Sequence, residues 1–144
     1  MESKGIKRIV AIGMCMAAVL LALNSCSKKV YFTTSSVVPA ARGYVKITKD
    51  KNENYTIDLS ISDLAEVERL QGNKKAYVVW IISNRENPKN MGKIDSDTKR
   101  FSKKLSASFH SVSSTKPTRI FITAEEDGTA QYPGSFEVLT TETM

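Results

Sequence analysis

Side chains that commonly do nucleophilic, acid–base or metal chemistry are scarce in this 144-residue chain, which holds two cysteines, Cys15 and Cys26, and one histidine, His110. A Ser-His-Asp relay would depend wholly on His110, and a metal site would have one imidazole at most. Ser102, Ser106, Ser108, Ser111, Ser113 and Ser114 surround that histidine in sequence, but none lies in a Gly-x-Ser-x-Gly elbow. They suit exposed strand and turn positions. The run Glu125-Glu126-Asp127-Gly128 gathers carboxylates at a glycine turn, a combination that suits calcium. It lacks the DxDxDG spacing, and three acids at a turn are commonly just solvated.

Cys26 has the most specific surroundings. Lys4, Lys7 and Arg8 form a basic N-terminal region, and Ile9 to Leu23 then runs without a charged or strongly polar side chain. As a helix these residues would rise about 22 Å, short of the ~30 Å hydrocarbon core, so the run suits the apolar part of a removable signal peptide. Leu23-Asn24-Ser25-Cys26 resembles the lipobox of bacterial lipoproteins, with Leu three residues before the cysteine and a small residue directly before it. The resemblance implies diacylglyceryl transfer to the Cys26 thiol, cleavage after Ser25 and acylation of the new amine. Palmitate-type chains would hold the protein to a membrane, each contributing about 0.8 kcal/mol per buried CH₂. Ser27 follows the cysteine, rather than the Asp that marks retention at an inner membrane. By resemblance, the expected location is the outer membrane, facing the periplasm.

Once residues 1–25 are removed, no cysteine remains apart from the lipidated one. That excludes disulfides, thiolate nucleophiles and cysteine zinc sites from the mature protein. Lys4, Lys7 and Arg8 against Glu2 lie ahead of Cys26, leaving 18 basic and 14 acidic residues, a net charge of +4. The excess is dispersed; its densest cluster, Lys99, Arg100, Lys103 and Lys104 in a polar stretch, reads as a solvated loop, with contact to anionic lipid headgroups near the anchor as the alternative. Nucleic-acid binding is not expected from such a pattern.

Period-two alternation organises the rest. Residues 26–41 read as the lipidated cysteine and a tether, with an edge strand at Val30-Tyr31-Phe32; fully extended they would reach about 50 Å. Gly43–Thr48 and Tyr55–Ile61 flank the polar turn Lys49–Asn54 and predict an antiparallel hairpin. Ser62–Gly72 predicts one helical turn, capped by Ser62 or Asp63 and stopped by Gly72. Ala76–Ile82 is continuously apolar and β-branched or aromatic, which predicts a strand buried on both faces with Trp80 in the core. Short strands are further expected at Met91–Asp95, Leu105–Val112, Arg119–Ala124 and Phe136–Thr140. About seven strands with hardly any helix predict an all-β, antiparallel, immunoglobulin-like β-sandwich over residues 42–144.

Several of these stretches together resemble the C-terminal extracytoplasmic domain of anti-sigma-K factors. They are Tyr77-Val78-Val79-Trp80-Ile81, then Pro88 and Gly92, then Ile120 to Glu125, Gly128 and Pro133-Gly134. The similarity covers roughly residues 42–141. Glu126 stands where that family usually has Pro, and its double glycine is reduced to Gly128. The cytoplasmic sigma-binding half has no counterpart here. The resemblance therefore implies the fold and an accessory role in envelope stress signalling.

These readings converge on a lipid-anchored, non-enzymatic β-sandwich, requiring no cofactor, that binds another envelope component, protein or polymer. Loops are where such modules usually bind, so the expected partner-facing residues are Asn84, Arg85 and Asn87 in one loop and Glu125, Glu126, Asp127 and Tyr132 in another. Stress signalling is the alternative. A cell-wall hydrolase would need paired carboxylates facing a cleft.

Overall fold

Tyr55–Ser62 alternates as its sequence predicts, with Ile57, Leu59 and Ile61 buried and Ser60 exposed. The computed structural model describes residues 27–84, 86–96 and 106–144. In it Tyr55–Ser62 (β3) pairs antiparallel with Arg42–Lys49 (β2), from Lys49↔Tyr55 to Arg42↔Ser62, so the expected hairpin forms. Asp50 closes its turn: the carboxylate accepts the backbone N–H groups of Asn52 and Asn54 at 2.7 and 2.9 Å. Those donors, Asn54 first, hold its pKa below the ordinary carboxylate value.

Nine strands lie in two antiparallel sheets among the described residues, an all-β sandwich. The others are Ser27–Tyr31 (β1), Ala76–Ile82 (β4), Lys89–Lys93 (β5), Asp95–Ser96 (β6), Ala107–Ser113 (β7), Arg119–Glu125 (β8) and Glu137–Thr140 (β9). The sheets have the orders β1-β2-β3-β7-β6 and β5-β4-β8-β9. Without β1, this is the ABED and C′CFG arrangement of immunoglobulin-like sandwiches. Between the sheets, Val45, Ile57, Leu59, Ile61 and Ala107 of the first layer share a buried cluster with Tyr77, Val79, Ile81, Ile120, Ile122 and Leu139 of the second.

Four local expectations need correction. The tether is one: the edge strand expected at Val30-Tyr31-Phe32 forms but reaches back to Ser27, with Ser27–Tyr31 paired residue by residue with Thr48–Tyr44. The next residues are also tied down: Phe32 bridges Thr141, the Thr33 N–H donates to the Thr140 carbonyl at 2.8 Å, and Val38 and Ala41 are buried. Apolar residues spaced through this Ser/Thr-rich stretch give it a face to bury. The second is Met91–Asp95, which is divided between strands of different sheets. Ile94, buried, donates its N–H to Tyr77 O at 2.8 Å, and the chain then crosses to pair with β7. With β1, this division explains why there are more strands than seven. Third, the helical segment shrinks to a 3₁₀ turn at Val67–Arg69 with no side-chain cap; Ser62 ends β3 and Asp63 adopts φ 57°. Leu64 and Val67 bury themselves against the core, and the Tyr77 hydroxyl donates to Ala65 O at 2.9 Å. Burial, then the charge of Glu68, pushes the Tyr77 phenol up to about 12, so it remains a donor. Last, Ser113 is buried rather than exposed, its hydroxyl turned onto Thr115 O at 2.8 Å.

Candidate functional site

The two sheets treat their outer faces differently. On β4, Tyr77, Val79 and Ile81 point into the main core, while Val78 and Trp80 join Phe121 of β8 in a second cluster on the outer side. Trp80 is fully buried there, stacked on Phe121 with ring centroids 6.4 Å apart. Residues 126–136 fold back to cover this face: Ala130 packs on the cluster, and Asn90 Nδ2 donates to Gly128 O at 3.2 Å and Ala130 O at 2.7 Å. A bulge makes that tie possible. Val79 faces Gly92 and Trp80 faces Asn90, leaving Met91 as the extra residue, packed against the core.

Below the loop runs a chain of hydrogen bonds from Trp80 to Gly134. Trp80 Nε1–H donates to Thr123 Oγ1 at 2.7 Å, Thr123 donates to Glu125 Oε1 at 2.5 Å, and the Gly134 N–H donates to the same oxygen at 2.8 Å. A β-carbon at Gly134 would lie 2.8 Å from Glu125 Oε2, so a glycine there lets the backbone reach the carboxylate. Glu125 is therefore the buried end of β8, not a partner-facing loop residue, which corrects the expectation for it.

On the five-stranded sheet, outward residues form rows across strands. One row is Lys29, Lys46, Asp58 and His110; the next is Tyr31, Tyr44, Ser60 and Ser108. The Tyr31 and Tyr44 rings meet edge to face at 6.1 Å, and the Lys29 ammonium sits 3.6 Å from the Tyr44 centroid. Tyr31 remains 65% exposed. A shallow hollow of about 350 Å³ runs from these rings to Ser60, Ser62 and Arg42. A second, of about 520 Å³, lies at the edge of the face, where Asp58, Ser108 and His110 adjoin the core residues Leu59 and Phe109 and Lys93 of the other sheet. This face combines aromatic planes, hydroxyls and both signs of charge on a rigid support.

His110 Nδ1 and Asp58 Oδ1 stand 2.6 Å apart, directly opposite one another on β7 and β3. The Asp–His half of a relay is thus present, on an open face. No hydrogen bond joins Ser108 or Ser60 to the imidazole among the described residues. Ser113 and Lys116 have the Ser-x-x-Lys spacing of some acyl-transfer enzymes, but the Ser113 hydroxyl is spent on Thr115.

Of the loop residues singled out from sequence, Asn84, Asn87, Glu126, Asp127 and Tyr132 are exposed, Tyr132 at 75%. Asp127 accepts the Thr129 N–H at 2.9 Å and its hydroxyl at 2.8 Å, and these donors lower its pKa. The acids of 125–127 do not converge: Glu125 is buried beneath the loop against Thr123 and Gly134, Asp127 holds its own turn, and no group of three His, Cys, Asp or Glu gathers among the described residues. Through Asn90 the structure brings the two loops together. Cys26, Arg85, Leu105 and the cluster Lys99, Arg100, Lys103 and Lys104 lie outside the described residues. Sequence reasoning missed the Tyr31–Tyr44 and Asp58–His110 pairs, because each joins residues on different strands. The outward polar phase of Asp58 and His110 was the available signal.

Comparison with protein-family models, with curated proteins and with solved structures gives no match.

Proposed function

We propose that this protein is a lipid-anchored, non-enzymatic component of the cell envelope, whose sandwich binds an extended envelope partner through the outer face of the five-stranded sheet. The observation that carries this reading is the Tyr31–Tyr44 pair, Tyr31 exposed and Tyr44 half-buried, continued across the sheet by Ser60 and Ser108 and lying beside a row of charges. Small-molecule sites are typically concave and largely apolar, whereas this face is open and polar with an aromatic anchor. Such a surface suits a macromolecule, protein or polymer, in which aromatic side chains supply most of the binding energy. The lipobox-like Leu23–Cys26 supplies the membrane attachment, and Ser27, the residue after the cysteine, is paired with Thr48 in β1. By the same resemblance the anchor is placed in the outer membrane, with the domain facing the periplasm.

Two measurements test the reading. Fatty-acid labelling of cells should mark the wild-type protein, and Cys26→Ala should abolish the label and leave precursor; normal processing of that variant contradicts the anchor. Binding to isolated envelopes should weaken about tenfold or more in Tyr31→Ala/Tyr44→Ala, in line with the loss of an aromatic hot spot. Undiminished binding by the double variant contradicts the proposed face. Capture of a sigma-factor regulator as the partner would move the reading to stress signalling.

A further inference from the structure

We propose that the end of the sandwich beside Cys26 carries a binding site for anionic phospholipid headgroups, so that the domain stands directly on the membrane. The inference rests on the lipid-anchor reading and adds a second, electrostatic contact to it. Because Ser27 is already paired with Thr48 in β1, no slack separates the cysteine from the sheet. One trans peptide step spans about 3.8 Å. An acyl chain on Cys26 would therefore bring this end of the molecule to headgroup level, where a 50 Å tether would have lifted it clear.

The surface found there has matching chemistry. An open groove of about 390 Å³ is floored by Ile47, Tyr55, Pro117 and Met144 and edged by Lys28, Lys49 and Lys116. Lys28 belongs to the inward row of β1, opposite Ile47, an unusual phase for a charge. At the open end of the sheet its stem lies along apolar surface while the ammonium stays in water. Lys49 is shared with Glu53, at 2.8 Å, whereas Lys28 and Lys116 have no ion-pair partner among the described residues. Asp50, the nearest other acid on the hairpin, is occupied by its own turn. Ammonium groups around a short apolar floor fit the phosphate and upper chain of an anionic lipid. The outward lysines Lys29 and Lys46 are on a different face and serve as internal controls.

The test uses the native lipidated protein, reconstituted into vesicles of phosphatidylcholine alone or with phosphatidylglycerol added. Lysines are acetylated briefly and quantified by peptide mass spectrometry, together with the acyl mass on the Cys26 peptide. Lys28, Lys49 and Lys116 should lose about threefold or more of their reactivity in the anionic vesicles, given the attraction of basic groups to anionic lipid. Lys29 and Lys46 should not change. In Lys28→Gln/Lys116→Gln, Lys49 should lose that protection while the protein remains membrane-bound. Acyl mass present with equal lysine reactivity in both vesicles overturns the headgroup site and leaves the anchor standing. No acyl mass on Cys26 overturns both.

Discussion

The outer faces of the two sheets make opposite use of the same pleat. On the four-stranded sheet the central outward positions of β4 and β8, Val78, Trp80, Phe121, Thr123 and Glu125, are buried with residues 126–136 folded over them, while Ala76, Ile82 and Arg119 at the strand ends are half-buried. On the five-stranded sheet the two central outward rows are lysine, tyrosine, serine, aspartate and histidine, exposed or half-exposed, and Val112 in the next row is itself 54% exposed. A continuous apolar strand therefore signals two covered faces, but a loop can supply the second cover as well as another layer can. Together with the proposed function, the contrast divides the molecule into a face that holds the fold and a face offered for recognition. Substitutions should separate the two.

Trp80→Ala should have the largest effect. It removes the centre of the second cluster and strands the Thr123–Glu125 chain, so a loss of about 3–5 kcal/mol is expected in urea unfolding. A loss under about 1 kcal/mol would mean the loop does not seal that face. Glu125→Ala comes next: it leaves the Gly134 N–H and Thr123 hydroxyl without their buried acceptor, at about 1–3 kcal/mol. Glu125→Gln keeps an acceptor oxygen and should cost less; equal losses would argue that the carboxylate's hydrogen bonds are not what matters.

On the open face, Asp58→Asn/His110→Ala should change stability by less than about 1 kcal/mol. The two side chains are 67% and 45% exposed for His110 and Asp58, so solvent screens their pair. A larger loss would contradict the assignment of this face to recognition. The smallest effect concerns acid. Thr129 lowers the Asp127 pKa in the fold, so that contribution is complete above the ordinary value of 3.8 and is lost as pH falls through the depressed folded value. Amide exchange at Thr129, corrected for intrinsic pH dependence, should show faster opening only below the ordinary carboxylate range. Asp127→Asn should remove that acid step.

How far the sequence anticipates this arrangement depends on the range of each signal. Period two in Tyr55–Ile61 and the apolar run Ala76–Ile82 report burial face by face, and both hold in the structure. The hairpin at Lys49–Asn54 is local and is equally readable. Trp80 is buried as expected, though beneath a loop and not between the sheets, because an apolar run does not say which element covers it. The crossing at Ile94 is decided by a single buried residue and one backbone bond to Tyr77, with no compositional trace. Ser27–Tyr31 resembles a tether because an edge strand with two lysines has little apolar surface to announce it. The candidate face was invisible for a related reason: β3 and β7 are neighbours in space but are separated by 44 residues of chain, so Asp58 and His110 meet only once the sheet order is known.

The most direct test of the account is photo-crosslinking in intact cells from single positions on the two faces. A photoreactive residue at Ser108, on the open sheet, should capture a discrete envelope component, and one at Tyr132, on the loop side of the sandwich, should capture little. Equal capture from both positions, or capture from position 132 alone, would contradict the division between a sealed face and a recognition face.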